Sequence, residues 1–345
     1  MDVSVVIPNY QGRELLPRTL GHLREVLAAT QLSVEVIVVD DGSRDGSAEY
    51  VRSDHPWVRL VALPRNGGFS GAVNAGGREA QAPLIYFMNS DVFPCAGFLE
   101  PLVRSFASDP NQFAAASLNL NPAGQPIPPG QVSPELRRGQ IRVKGFELDR
   151  LWQAGRLAHH DPIPTLFGTG GSVLVHRARF LQLDGFAEIF RPYYYEDTDL
   201  GWRAWRRGWS SVLVPDSVVV HDHKFSTIQS TQSRLRVKIH KKRNRFLLVW
   251  RNYLEPSSFV RDHLARIPLH LLGRLIASDT VTIRGFWAAL RCCGEVRAHR
   301  RAERAAAKIT ERELFARLGE VRQQLHALAG AVEQVETGSP SPESD

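Results

Sequence analysis

The stretch Val34-Glu-Val-Ile-Val-Val-Asp-Asp-Gly-Ser43 decides the fold. From Val36 to Val39 every position is apolar, so both faces of the strand need cover, as in a parallel sheet flanked by helices. The run ends abruptly on two carboxylates and a glycine, where the chain must turn. Working outward, Val3–Ile7 is a second β-branched run, and Arg13–Thr30 between the two reads as a helix. Downstream come a helix at Ser47–Arg52, a strand at Val58–Ala62, a helix at Gly71–Ala80 and a strand at Leu84–Met88 that ends on Asn89-Ser-Asp91. Strand and helix alternate, so the class is α/β, with a mostly parallel central sheet and helices on both faces. Ligands of such sheets sit beyond the carboxyl ends of the strands, where Asp40-Asp41 and Asn89-Ser-Asp91 fall.

Beyond Asn121 the chain turns rich in Pro and Gly up to about Pro164, which predicts a long excursion with little regular structure. Short strands are expected at Val173–Val175, Val212–Val214 and Val218–Val220. After them Arg234–Leu254 has the spacing of an amphipathic helix and Ala302–Val335 that of another. The Ser/Pro/Glu-rich end, Thr337–Asp345, is expected to be disordered.

The 345 residues are 43% hydrophobic and 23% charged, which excludes a disordered chain and a disulfide-stapled miniprotein. Three cysteines, Cys95, Cys292 and Cys293, show no metal-knuckle spacing and suit a reducing compartment. The run Asp2–Pro8 lacks the basic start and long apolar core of a signal peptide, and Ile267–Leu290 is broken by Arg274, Asp279 and Arg284. A cytoplasmic protein is expected. The net charge of +7 is uneven: Lys224–Arg304 holds 18 Lys and Arg against 5 Asp and Glu, a balance of +13. Such a block suggests an anionic partner, whether nucleic acid, membrane surface or phosphorylated acceptor, with a solvated helix face as the plainer reading.

Four clusters carry chemistry. Asp40 and Asp41 can accept N–H groups of a ligand or hold a cation, or simply form an Asp-Gly turn with Ser43 or Ser47 as helix cap. The glycines of Arg65-Asn-Gly-Gly-Phe-Ser-Gly-Ala-Val-Asn-Ala-Gly76 allow a backbone to approach phosphates. Asp91, at the end of a buried strand, is placed for a hard divalent cation that leaves positions for phosphate oxygens. In Tyr193-Tyr-Tyr-Glu-Asp-Thr-Asp-Leu-Gly-Trp-Arg203, three acids among aromatics suit a general base in a partly desolvated cleft, while Asp197 or Asp199 could cap a helix.

In order, Pro8-Asn-Tyr10, Val38–Ser43, Asn66-Gly-Gly-Phe69 with Asn74-Ala-Gly76, Asn89-Ser-Asp91, Thr169-Gly-Gly171, Asp184-Gly-Phe186 and Glu196-Asp-Thr-Asp-Leu200 resemble an inverting family 2 glycosyltransferase. The nearest subgroup is the rhamnosyltransferase-like enzymes of bacterial cell-surface polysaccharide assembly. The resemblance covers roughly Val3 to Ser226. It implies a GT-A fold with a C-terminal helical extension. The transferase domain is then 1–225, made of a nucleotide-sugar half (1–120), the excursion (121–165) and an acceptor half (166–225). A basic helical region (226–305), a last helix (306–336) and the tail follow.

The same resemblance implies a UDP- or dTDP-sugar donor, dTDP-rhamnose among them, a glycan or lipid-linked acceptor, and Mg²⁺ or Mn²⁺. Pro8, Tyr10 and Asp41 would line the base, with Asp41 accepting its N3–H and Asp40 supporting the turn. Arg65, Asn66, Asn74 and Ser90 would flank the nucleotide. Asp91 would hold the metal, completed by His221 or His223. Asp197 would be the base, beside Glu196. Asn89 replaces the first carboxylate of the family's metal motif, and Ala187 stands where the subgroup has Asp. A sugar nucleotidyltransferase would want a glycine-rich, basic loop after the first strand, and an oxidoreductase G-x-G-x-x-G; Pro8-Asn-Tyr-Gln-Gly-Arg13 is neither. A nucleic-acid-binding protein is the non-enzymatic alternative, but the aromatics lie with the acids and outside any nucleic-acid module. The basic block is expected instead to hold the enzyme at the inner face of the membrane, burying Phe246, Leu247, Leu248 and Trp250 in the interface beside Lys241, Lys242 and Arg243.

Overall fold

The structure, a computed structural model, describes residues 1–128, 130–137, 140–157, 159–222 and 233–337. The first half of the chain builds the expected alternation: β1 (Val3–Asn9), α1 (Leu16–Leu27), β2 (Val34–Asp40), α2 (Ser47–Asp54), β3 (Arg59–Ala62), α3 (Gly68–Glu79) and β4 (Leu84–Met88). β1 pairs in parallel with β2 on one side and β4 on the other, and β2 with β3. The strand order therefore reverses between β1 and β4, the kind of crevice where α/β sheets bind ligands. Alternation through β2 explains the double cover. Val36 and Val38 face one hydrophobic cluster with α1 and α4 (Leu99–Ser108), while Ile37 and Val39 face another with α3.

The sheet continues with β5 (Val92–Pro94), β6 (Gln112–Leu120), β9 (Ile163–Pro164), β10 (Ser172–His176) and β11 (Ser210–His221), in the order β3-β2-β1-β4-β10-β6-β11-β5, with β9 on β11. β10 runs antiparallel to both β4 and β6. The two strands expected at 212–214 and 218–220 are one strand, β11, whose register slips between Val214 and Val218.

The Pro/Gly-rich segment has more order than its composition suggested. It holds a hairpin of β7 (Gln131–Arg137) and β8 (Gln140–Phe146) and a short α5 (Asp149–Gln153). Val132, Phe146, Leu148 and Leu151 are buried, so spaced apolar residues anchor the excursion between its prolines. After α6 (Arg177–Gln182) and α7 (Glu196–Arg206) the chain turns helical: α8 (Arg234–Asn252), α9 (Ile267–Ile276), α10 (Thr280–Leu290), α11 (Cys293–Ala306) and α12 (Glu311–Thr337). The single helix expected from Ala302 is divided at Ala307–Thr310. There Thr310 and Glu313 exchange a capping box, Thr310 N–H to Glu313 Oε2 at 2.7 Å and Glu313 N–H to Thr310 Oγ1 at 3.2 Å.

α8 does not offer its apolar side chains to a membrane. Leu247, Leu248 and Trp250 are buried with Trp202 and Trp205 of α7, and Phe246 packs against the same cluster. The expectation for these four residues was wrong because α7 presents its own apolar tryptophan face, and burial there removes them from water. Among the described residues no helix is long and apolar enough to cross a membrane. The tail from residue 338 lies outside the described residues.

Candidate active site

The ends of β2 and β4 and the start of α7 meet at one crevice. Asp40 is buried and structural: Asn9 Nδ2 donates to Oδ1 at 2.9 Å and the Ser43 amide to Oδ2 at 3.0 Å. This is the turn-supporting role expected of it. Asp41 faces the glycine-rich loop, accepting the Gly67 and Gly68 amides at 2.7 and 2.9 Å. A carboxylate has about four lone-pair sites, so capacity remains for a ligand N–H. Burial pushes its carboxyl up, opposed by those two amides and by Arg191. Gly42 is required here. Its φ of +71° suits glycine, and a Cβ would meet the Arg65 carbonyl carbon at 2.8 Å. Pro8 is half-buried and Tyr10, Arg65 and Asn66 are exposed around this turn, with Asn66 Oδ1 accepting the Gly68 amide at 3.0 Å.

Asn74 is elsewhere engaged. Its Nδ2 donates to the Phe186 carbonyl at 2.9 Å and its Oδ1 accepts the Phe186 amide at 2.8 Å, both buried. The expectation that it flanks a nucleotide gives way to a clamp on the Asp184-Gly-Phe186 turn, since both ends of the amide are used. Arg203 completes that clamp, donating to the Leu183 and Gly185 carbonyls at 2.6 and 2.8 Å. Ala187 follows this turn, half-buried against the third cluster at the start of a 3-10 turn, Glu188–Phe190.

The Gly170-Gly171 loop joins the other two motifs. The Asn89 amide donates to the Gly171 carbonyl at 2.9 Å, and a Cβ on Gly171 would strike the Asn89 side chain at 2.4 Å. A Cβ on Gly170 would come within 3.6 Å of Asp197 Cβ. Asn89-Ser-Asp91 and Asp197 therefore flank one loop. Ser90 is half-buried, and its carbonyl accepts the Thr19 hydroxyl. Asp91 is buried with His221 at the end of β11, Oδ1 to Nε2 at 3.2 Å. A carboxylate and an imidazole at strand ends fit a divalent cation that takes its other ligands from phosphate and water. Among the described residues no group of three or more His, Cys, Asp or Glu forms a fuller cage. His223 lies outside the described residues.

Glu196 and Asp197 open α7. Asp197 Oδ1 accepts the Thr198 amide at 2.6 Å and the Thr198 hydroxyl at 3.2 Å, and the Gly170 amide also donates to Asp197. Burial pushes both carboxyls up, Glu196 to about 8, with its Oε2 buried and without a partner. Neither Asp197 nor Asp199 caps the helix; the N-cap is Tyr195, at φ +77°, after Tyr194 at φ +76°. Two successive left-handed tyrosines are strained. Asn244 of α8 holds them, its Nδ2 within 2.6, 2.9 and 3.0 Å of the carbonyls of Phe190, Tyr193 and Tyr194. Asp199 is fully buried and structural. It pairs with Arg203 at 2.7 Å and Arg251 at 3.2 Å and accepts from Asn252 at 2.7 Å, which holds its carboxyl well below the usual range against the cost of burial.

Sequence reasoning missed Arg191 and Asn244. Arg191 lies over the glycine-rich loop, 3.1 Å from where a Cβ on Gly71 would stand, and bonds Glu188 at 2.7 Å. It brings a cation beside Asp41, although 150 residues separate them in the chain. An Asn in the middle of a helix whose only other Asn is its last residue, Asn252, was the one signal for Asn244.

Carboxylates at strand ends, a glycine-rich loop, an Asp–His pair and a buried acid pair thus gather at one crevice, the arrangement that the resemblance to a glycosyltransferase implies. The chain belongs to glycosyl transferase family 2, whose family model matches residues 4–153. It is 32% identical over 234 residues, 62% of this chain and 76% of the relative, to the N-acetylglucosaminyl-diphospho-decaprenol L-rhamnosyltransferase of Mycobacterium tuberculosis H37Rv. It is 27% identical over 232 residues to the validoxylamine A glucosyltransferase of Streptomyces hygroscopicus subsp. jinggangensis, covering 60% of this chain and 52% of that one. In fold it is similar to S. aureus TarS 1–349 in complex with UDP-GlcNAc, with TM-score 0.53 at 16% identity over 98% of this chain and 93% of that one. It is also similar to GalNAc-T7 with UDP, GalNAc and Mn²⁺, with TM-score 0.54 at 19% identity over 74% of this chain and 48% of that one.

Proposed function

We propose that the chain transfers a sugar, with inversion, from a UDP- or dTDP-sugar to a hydroxyl of a lipid-linked glycan acceptor in cell-envelope polysaccharide synthesis. The mycobacterial relative, named for a rhamnosyl donor group and a diphospho-decaprenol acceptor, supports dTDP-rhamnose as the first donor to try. The observation that carries the reading is the Glu196-Asp197 pair against the Gly170 loop, across which Asn89-Ser-Asp91 lies.

Asp41 accepts the base N3–H, between Pro8 and Tyr10. Arg191, with Arg65 and Asn66, lies on the side where the phosphates pass the glycine-rich loop. Asp197, oriented by the Thr198 and Gly170 amides, takes the proton of the acceptor hydroxyl as that oxygen attacks the anomeric carbon. Glu196, whose carboxyl is held up to about 8 by burial and by Asp197, is neutral near pH 7 and so adds no second charge beside the base. Asp91 and His221 would hold a divalent cation, which when bound would supply charge stabilisation for a diphosphate leaving group. Backside attack needs no covalent sugar on the protein, so the new linkage has the opposite anomeric configuration to the donor.

Replacing Asp197 by Asn keeps the shape and removes the base. Turnover is expected to fall by roughly 10²–10⁴ while the donor dissociation constant, measured by calorimetry across a panel of UDP- and dTDP-sugars, stays within about two-fold. Near-normal single-turnover rates in Asp197→Asn would sink the assignment, and a product of retained configuration by NMR would sink inversion.

A further inference from the structure

One helix of the basic region is left without cover. None of the residues of α9 is buried, and Leu269, Leu272, Leu275 and Ile276 are 73, 53, 65 and 78% exposed. Its inner side, Ile267 and Leu271, rests on the third hydrophobic cluster. Trp287 of α10 adds a ring 59% exposed, and Leu264 and Val260 extend the apolar surface before α9. Scattered exposed apolar residues need no explanation, but seven of them within 28 residues form a surface of the kind that marks an interaction site.

The charges around this surface identify its occupant. Between 256 and 294 the sequence has five arginines and two aspartates. Arg261, Arg266, Arg274, Arg284 and Arg291 are all exposed, while Asp279 is half-buried and paired with Arg274 at 3.5 Å. A symmetric contact between two copies would set these arginines against each other. An anionic bilayer meets both features. Its headgroups attract an excess of five arginines over two aspartates, its acyl boundary takes the leucines, and an indole suits the zone between them. We infer that α9, with Trp287 of α10, is the membrane-docking face of this protein and seats it on anionic lipid without crossing the bilayer.

Two cavities lead from this face toward the start of α7. A cavity of about 110 Å³ reaches from His270 and Arg274 of this face to Arg142 and Arg245. A second, of about 480 Å³, shares Arg142, Arg245 and Val249 and reaches Tyr195, the residue before Glu196. A phosphate-bearing acceptor drawn from the lipid surface thus meets the cationic side chains of Arg142 and Arg245 on the way toward the start of α7. The docking extends the lipid-linked acceptor reading, yet it is measured without turnover, so either can fail alone.

The test is co-sedimentation of the full chain with vesicles of phosphatidylcholine alone or with one third phosphatidylglycerol. Wild type is expected to bind the anionic vesicles at least ten-fold more tightly, and less so as salt rises. Leu269→Asp with Leu275→Asp should lower that binding ten-fold or more with an unchanged thermal unfolding midpoint, because these side chains touch little of the protein. Arg266→Glu with Arg284→Glu should weaken anionic binding alone. The inference is overturned if wild type stays in the supernatant at low salt, or if the Asp pair binds as wild type does. It is equally overturned if sedimentation velocity finds a dimer that the Asp pair dissolves while vesicles are not bound.

Discussion

At the scale of single residues, Glu196 makes the sharpest statement about pH. Its carboxyl is held near 8 by burial and by the neighbouring Asp197, far above an unfolded glutamate. The folded chain therefore binds more protons than the unfolded chain between those two values. Stability should fall as pH rises through that window, and the loss should be complete above the folded value. Glu196→Gln removes this liability. The variant is expected to gain upward of about 1 kcal/mol over wild type at pH 8.5 relative to pH 5, read by urea unfolding at both pH values; equal differences at the two would refute the buried acid. Asp91 yields a second prediction. Nucleotide affinity of wild type should rise with Mn²⁺ or Mg²⁺, and in Asp91→Ala that gain should vanish, since His221 is its one described partner in the proposed cation site. Calorimetry of UDP or dTDP with and without metal checks this, and a wild type indifferent to metal removes the cation from the proposal.

At the scale of elements, α8 supports the segment that leads into Glu196 and Asp197. Asn244 supplies one amide group to three carbonyls of the 190–194 segment, which holds Tyr194 and Tyr195 in left-handed conformations. Asn244→Ala leaves those carbonyls buried without a donor, at a cost of about 1–3 kcal/mol. The start of α7 should loosen with it. Turnover is expected to fall more than donor affinity, because the donor base contacts proposed at Asp41 sit on another element. Kinetics beside a thermal melt check this, and unchanged turnover in a destabilised variant would reduce Asn244 to a folding role. The adjoining network joins the same helices: Asp199 binds Arg203 within α7 and Arg251 and Asn252 from α8. Removing one member of a buried pair typically costs about 3–5 kcal/mol, so Asp199→Ala should be poorly folded where Asp197→Asn is not.

At the scale of the molecule, the helices after residue 233 close over α7. Trp202 and Trp205 share a cluster with Leu247, Trp250, Phe286 and Leu314. Arg206 reaches Glu311 at 2.7 Å and also bonds the Asn252 carbonyl, and Arg207 reaches Glu303 at 2.9 Å. A chain cut to residues 1–225 would expose that tryptophan face and leave Asp199 without Arg251. It is expected to aggregate or to lack a cooperative unfolding transition by calorimetry, and a soluble piece with a sharp transition would establish 1–225 as an independent domain.

The sequence alone determined the α/β class and the places of the candidate carboxylates at strand and helix ends, because both are local. A run such as Val36–Val39 needs cover on two faces wherever it lies, and a carboxylate after it must sit at a strand end. The motifs Asp40-Asp41, Asn89-Ser-Asp91 and Glu196-Asp197 were legible for that reason, and their order carried the family. Tertiary structure decided which polar groups were already spent. Asn74 and Asp199 look like site residues in the chain but are consumed by Phe186 and by Arg203, Arg251 and Asn252. It also brought Arg191 to Asp41 and Asn244 to the tyrosine segment, contacts that no local pattern encodes. The direction of an apolar helix face was likewise undetermined. The run Phe246–Trp250 of α8 packs into the tryptophan cluster, whereas α9 reaches that cluster only through Ile267 and Leu271 and leaves Leu269, Leu272, Leu275 and Ile276 exposed.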